Sequence, residues 1–174
     1  IQKECNIIFT TTPEFVQASV QAAIAHPEIK ILNCSLNTSH RYIRTYYARM
    51  YEAKFLMGAV AGAMAENGQL AYIADYPIFG TIANINAFAL GAKMVNPRAQ
   101  VYLEWSTLKD VDLGIAMDNV IKKGVTVVSG RDMVIPEDAS RYFGLYHIEK
   151  GEPRNFAMPL WHWGKFYEKL IRTI

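Results

Sequence analysis

Short apolar runs rich in β-branched and aromatic residues alternate along this chain with longer segments whose apolar positions recur every three or four residues. The short runs are "CNIIFT" at 5–10, "IKILNCS" at 29–35, "QLAYIAD" at 69–75, "AQVYLEWS" at 99–106 and "VTVVSG" at 125–130. Each is bounded by turn residues and reads as a buried strand. "RYFGLYHIE" at 141–149 reads as a sixth. The helical period is clearest after the first strand. Thr12 is placed to cap, Pro13 to open the helix, and Phe15, Val16, Ser19, Val20, Ala23 and Ile24 repeat at helical spacing. Further helices are predicted near 51–66, 77–97 and 110–124, and the chain ends in another. In the third, Ile82, Ile85, Phe88, Ala89 and Ala92 share a face. In the fourth, Leu113, Ala116, Met117, Val120 and Ile121 do.

Strand, helix and strand joined by short connections make a βαβ unit, whose strands run parallel. The repeated alternation predicts an α/β fold of parallel sheet flanked by helices. Residues 36–50, "LNTSHRYIRTYYARM", are polar and aromatic and read as a link. Two sheets are therefore expected, one before this segment and one after it.

The run "FLMGAVAGAMA" at 55–65 raises the question of a membrane anchor, with Gly58 and Gly62 four apart. A spanning helix needs about 20 apolar residues. This run is half that length and is bounded by Lys54 and Glu66, so it predicts a buried helix. Its small residues allow close approach to a neighbour. Composition agrees with a globular chain: 174 residues, 51% hydrophobic, 20% charged, net charge +2. The basic residues are scattered, so no nucleic-acid partner is expected. The first residue is Ile1 rather than Met, and a piece of a longer chain is expected.

The usual chemical motifs are missing. There is no GxxxxGK[ST] run, no GxGxxG after a strand and no GxSxG elbow. The four histidines lack the spacing of a helical zinc site, and no metal or cofactor is expected. Cys5 opens the first strand and Cys34 closes the second. In a parallel pair these lie at opposite ends of the sheet, too far apart to bridge, so two buried free thiols are expected. Polar residues do recur just past the strand ends, where open α/β sheets bind ligands. They include Thr10, Thr11 and Thr12, then Asn33, Asp75, Tyr76, Trp105, Ser106, Arg131, Asp132 and His147. From these, Thr11, Thr12, Asp75, Tyr76, Trp105, Asp132 and His147 are the expected ligand contacts. No nucleophile–base pair stands out, so binding rather than catalysis is expected.

"YEAKFLMGAVAGAMAENGQLAYIADYPI" followed by "INAFALGAKMVNPRAQVYLEWS" resembles the basic membrane protein family, the substrate-binding lipoproteins of ABC transporters that include purine-nucleoside receptors. The matching positions are Glu52, Leu56, Gly58, Tyr76, Pro77, Phe88, Gly91, Ala92, Asn96 and Pro97; "PLWHWGKFY" is similar to a segment of one branch. The resemblance implies a type I periplasmic-binding-protein-like fold with an incomplete first lobe. Residues 1–50 would be the remainder of that lobe, 51–150 the second lobe, and 151–174 a segment returning to the first. It further implies an extracytoplasmic receptor anchored as a lipoprotein in its longer form, an ABC permease partner, and a small-molecule ligand such as a purine nucleoside. A ligand-sensing regulator of the same fold is the alternative. This chain departs from the family pattern at Leu108, where an aromatic stacker is expected, and at His147, where an acidic residue is. Weak nucleoside binding and self-association through the first lobe are expected of such a piece.

Overall fold

The computed structural model describes residues 4–35, 41–75, 77, 79–107, 112–131 and 144–173. The chain divides into two compact units, Ile1–Ala48 and Arg49–Ile174.

The first unit holds a three-stranded parallel sheet in chain order: β1 (Ile7–Thr10), β2 (Lys30–Cys34) and β3 (Ile43–Tyr46). A short 3-10 turn, Pro13–Phe15, leads into α1 (Val16–Ala25), which completes the expected βαβ unit. Thr12 accepts the Phe15 N–H through its carbonyl oxygen, and α1 has no side-chain cap, so the cap expected of the Thr12 hydroxyl does not form. The core of the unit is small: Ala23, Ile29, Ile31 and Ile43, with Ile8, Val20 and Ala22 against them. β3 corrects the reading of 36–50 as a link. Ile43 and Tyr46 are buried while Arg44 and Thr45 are exposed. Two inward side chains in four residues suffice to add a strand.

Neither cysteine is in a disulfide, but Cys5 is exposed, which corrects the expectation of two buried thiols. It precedes β1 and is not held in the ladder. Burial pushes the Cys34 thiol above its ordinary pKa. The thiolate is the reactive form, so at mildly alkaline pH iodoacetamide should modify Cys5 faster than Cys34. Peptide mass mapping over time checks this; equal rates would mean that Cys34 is as open to water as Cys5.

The second unit is built on a five-stranded sheet of order β5-β4-β6-β7-β8. Its strands are β4 (Gln69–Ala74), β5 (Gln100–Trp105), β6 (Val127–Ser129), β7 (Leu145–Glu149) and β8 (Glu152–Ala157). β4 pairs parallel with β5 and β6, whereas β7 pairs antiparallel with both β6 and β8. The sheet is thus mixed, which corrects the expectation of wholly parallel strands.

The helices are α2 (Met50–Met64), α3 (Phe79–Val95), α4 (Leu113–Lys122) and α5 (Trp163–Thr173). Alternate residues of β4 serve opposite faces. Leu70, Tyr72 and Ala74 join Met57, Ala61, Phe88 and Ala92 on one side; Ala71 and Ile73 join Ala116, Met117 and Val120 on the other. Asp112 caps α4, its carboxylate accepting the Ile115 N–H at 2.8 Å. Gly68 ends the α2 connection with φ +70°, a left-handed conformation that glycine adopts without strain.

α2 and α3 pack backbone to backbone. A side chain at Gly58 would strike the Phe88 carbonyl, one at Gly91 the Phe55 carbonyl, and one at Gly62 would lie 2.6 Å from the Ala92 oxygen. The small residues of the 55–65 run therefore form a helix–helix seam. No described helix is long and apolar enough to cross a membrane. The buried face of α3 is turned from the expected one. Thr81, Asn84, Phe88, Gly91 and Ala92 are buried, and Ile82 is exposed.

Candidate ligand-binding site

The carboxyl edge of β4 ends in a buried polar cluster. Asp75 is only 4% exposed. Ser106, the first residue past β5, sits beside it: its hydroxyl lies 3.1 Å from Asp75 Oδ1 and 3.2 Å from the Ala74 carbonyl oxygen. Thr107 donates its hydroxyl to the Asp75 carbonyl oxygen. Arg131, just past β6, places Nε 3.8 Å from Asp75 Oδ1. The register explains the convergence. Ala74 pairs with Trp105, and Tyr72 with Ser129, so the residues that follow all emerge at one edge.

One rung below, Ser129 accepts a 3.0 Å hydrogen bond from Lys54 Nζ. Lys54 enters from α2 and is wholly buried, its ammonium 4.9 Å from the centre of the Tyr72 ring. The Tyr72 ring in turn meets Phe88 edge to face at 5.4 Å. Lysine, arginine, carboxylate and hydroxyls thus crowd the rim of an otherwise apolar sheet. Buried charges are costly unless paired or hydrogen-bonded, and here Lys54 is hydrogen-bonded to Ser129 while Arg131 lies beside Asp75.

The first unit has its own polar edge. Asn33 is fully buried and donates through Nδ2 to Thr10 Oγ1 at 2.6 Å and to the Thr12 carbonyl oxygen at 3.0 Å. Thr10 Oγ1 also lies 3.2 Å from Ser19 Oγ, and the Tyr46 hydroxyl donates to the Thr10 carbonyl oxygen at 3.2 Å. These bonds pin the turn after β1. Among the described residues, Asn33 Oδ1 and Thr12 Oγ1 find no hydrogen-bond partner. A buried polar atom left so costs about 1–3 kcal/mol.

The expected contact residues divide accordingly. Asp75 lies within the second-unit cluster. Trp105 ends β5 beside it and packs half-buried against the core cluster that includes Tyr72 and Phe88. Thr11 is exposed and Thr12 half-buried at the edge of the first unit. Tyr76 and Asp132 lie outside the described residues. His147 is set apart. It sits in mid-strand opposite Val127, near the amino end of β6, with Nδ1 3.5 Å from Glu149 Oε1. Because β7 runs antiparallel, its carboxyl end points away from Asp75; His147 itself is level with Leu70, five residues or about 17 Å from Asp75 along the strands. Lys54 was not among the expected contacts. Its signal is that it is the one charge between Glu52 and Glu66. Among the described residues, no three His, Cys, Asp or Glu side chains converge as a metal site would require.

The chain is 25% identical over 183 residues to a putative ABC transporter glucose-binding protein of Haloferax volcanii, which covers 99% of this chain and 47% of that protein. It is 29% identical over 128 residues to a purine-binding protein of Brucella abortus, covering 71% of this chain and 36% of that one. The chain therefore spans less than half the length of these curated relatives. Two solved structures share the fold. A transcriptional activator of the comK gene from Bacillus halodurans aligns with TM-score 0.60 at 18% identity, over 75% of this chain and 44% of its own. An ABC transporter solute-binding protein from Conexibacter woesei aligns with TM-score 0.58 at 14% identity, over 75% and 45%. The family model of the PnrA-like ABC transporter substrate-binding proteins matches residues 2–136. With that match covering most of its length, the chain belongs to the Bmp family of PnrA-like ABC transporter substrate-binding proteins.

Proposed function

We propose that this chain is the binding part of an extracytoplasmic ABC-importer receptor whose ligand is a small hydroxylated ring compound, a purine nucleoside in the first instance. The observation that carries the reading is Asp75, a buried carboxylate at the carboxyl edge of the second sheet with Arg131, Ser106 and Thr107 around it. A carboxylate accepts hydrogen bonds from paired hydroxyls, and a guanidinium offers several donors in a fixed fork. A ribose or a hexose presents such hydroxyls, which suits relatives described as purine-binding and glucose-binding alike. Trp105 and Tyr76 are the rings assigned to stack on a base. Thr11 and Thr12 are assigned as ligand contacts of the first unit, and Asp132 as one of the second. His147 is a weaker assignment, given its place in β7. In its longer form the protein would be anchored as a lipoprotein and deliver ligand to an ABC permease.

Ligand-observed NMR of the chain with millimolar adenosine, guanosine and glucose tests the reading. A nucleoside should bind with a Kd of about 1 mM or tighter, worth about 4 kcal/mol. Asp75→Asn should weaken that binding at least tenfold with the circular dichroism spectrum unchanged, and Trp105→Ala should do so severalfold. Binding of glucose alone would replace the nucleoside assignment. Nucleoside binding untouched by Asp75→Asn would remove the site from this edge. A second reading, a ligand-sensing regulatory domain, is favoured by the fold shared with a protein described as a transcriptional activator.

A further inference from the structure

Lys54 approaches the candidate site from below its rim. It stands in the second turn of α2 and is wholly buried. Its Nζ donates to Ser129 Oγ at 3.0 Å and lies 4.9 Å from the centre of the Tyr72 ring. Tyr72 and Ser129 are register partners on β4 and β6, so one ammonium meets both strands at the same rung. Asp75 follows Tyr72 by three residues, and Arg131 follows Ser129 by two. The carboxylate and the guanidinium, 3.8 Å apart, are thus carried by two strands that Lys54 joins.

β6 is only three residues long, and Ser129 is its last. A short strand has few ladder bonds, and strand ends with few bonds open locally at little cost. Two contacts hold this end. The Gly130 N–H donates to the Gly144 carbonyl oxygen at 2.8 Å, and Lys54 holds the Ser129 side chain. Ser129 Oγ also lies 3.5 Å from the Gly130 carbonyl oxygen, which belongs to the peptide group leading into Arg131. A methionine would fill much the same volume as Lys54 without burying a charge. What the lysine adds is a directional, charge-assisted hydrogen bond, stronger than one between neutral groups. We propose that Lys54 is a positioning residue of the ligand site: through Ser129 it fixes the end of β6 and sets Arg131 against Asp75, without touching the ligand. Its effect on affinity rests on the reading of Asp75 and Arg131 as ligand-binding groups.

The proton–nitrogen NMR signal of the Arg131 Nε–H group tests this with no ligand present. The signal is assigned by its loss in Arg131→Lys, and Asp75→Asn should move it. Lys54→Met and Ser129→Ala should each move it by several line widths. Val120→Ala opens a cavity on the opposite face of the same sheet and should leave it in place. Should Lys54→Met fail to fold, Ser129→Ala removes the same bond at the loss of one oxygen atom and carries the test. In titrations with adenosine and guanosine, each of the two variants should weaken binding roughly tenfold. The double variant should bind no more weakly than the weaker-binding single one, because both remove one bond. An Arg131 signal unmoved in Lys54→Met and Ser129→Ala, or moved as far by Val120→Ala, would overturn the proposal and leave Lys54 as a packing residue. A moved signal with nucleoside affinity unchanged would overturn it too. A wild-type chain that binds neither nucleoside would remove the ligand reading alone, and the Arg131 signal would still decide whether Lys54 positions the guanidinium.

Discussion

Lys54→Ala should lower the unfolding free energy of the second unit by about 3 kcal/mol, within the range for truncating a long buried side chain to alanine. Three losses combine. The four-carbon stem leaves a cavity between α2 and β4. The ammonium no longer sits over the Tyr72 ring, a contact worth about 1–2 kcal/mol when desolvated. Ser129 loses its 3.0 Å hydrogen bond from Nζ. Lys54→Met keeps most of the volume and discards the charge, so it separates packing from electrostatics. A loss with Met close to that with Ala would assign the effect to the ammonium. All three tryptophans, Trp105, Trp161 and Trp163, lie in the second unit, so their fluorescence in a urea titration reports this unit alone. A change below about 1 kcal/mol in Lys54→Ala would mean that the lysine lies in water, contrary to its burial.

Gly91→Ala should cost about 2–3 kcal/mol, despite the roughly 1 kcal/mol by which alanine ordinarily favours a helix over glycine. The added methyl meets the Phe55 carbonyl and the Ala59 nitrogen, backbone atoms that no rotamer change can move. α2 and α3 would have to separate along the whole seam. Gly58→Ala strikes the Phe88 carbonyl across the same seam, so the two substitutions together should cost less than their sum. Gly164→Ala in α5 is the control, since nothing lies within 4 Å of the position a methyl would take there. It should be neutral or slightly stabilising. The fluorescence-detected Tm of Gly91→Ala should fall by roughly 5–10 °C. An unchanged Tm would show that the helices are farther apart than their backbone contacts indicate.

The parts legible in the sequence are those where one physical signal dominates. Val, Ile and Leu runs bounded by turn residues located β1, β2, β4, β5 and β6. The periodic "DLGIAMDNVIKK" located α4. β3 was not legible because its two inward residues, Ile43 and Tyr46, stand among tyrosines and arginines that mask the alternation. β8, "EPRNFA", carries a proline and two charges, which suits the edge of a sheet and conceals a strand. Direction is the deeper gap. Periodicity is the same for a parallel and an antiparallel strand, so nothing in "LYHIE" told that β7 reverses and carries His147 away from Asp75. α3 was misoriented because Thr81 and Asn84 are buried in place of the more apolar Ile82. At the site, Asp75 and Ser106 were legible as residues after strands. Lys54 was not, because its role depends on α2 lying over β6, a contact between residues 75 positions apart.

The order of strands has a consequence in time. In the first sheet the strands lie side by side in the order they are made, β1-β2-β3, so each meets its neighbour as soon as it is synthesised. The second sheet cannot close so early. β4 waits for β6, and the sheet is finished only when β8 has folded back on β7, roughly a hundred residues after β3. At ordinary synthesis rates that interval is about 5–20 s. During it, the apolar α2 and α3 are already made while much of their sheet is not. The nascent chain is then most exposed to mispairing and most in need of a chaperone's cover.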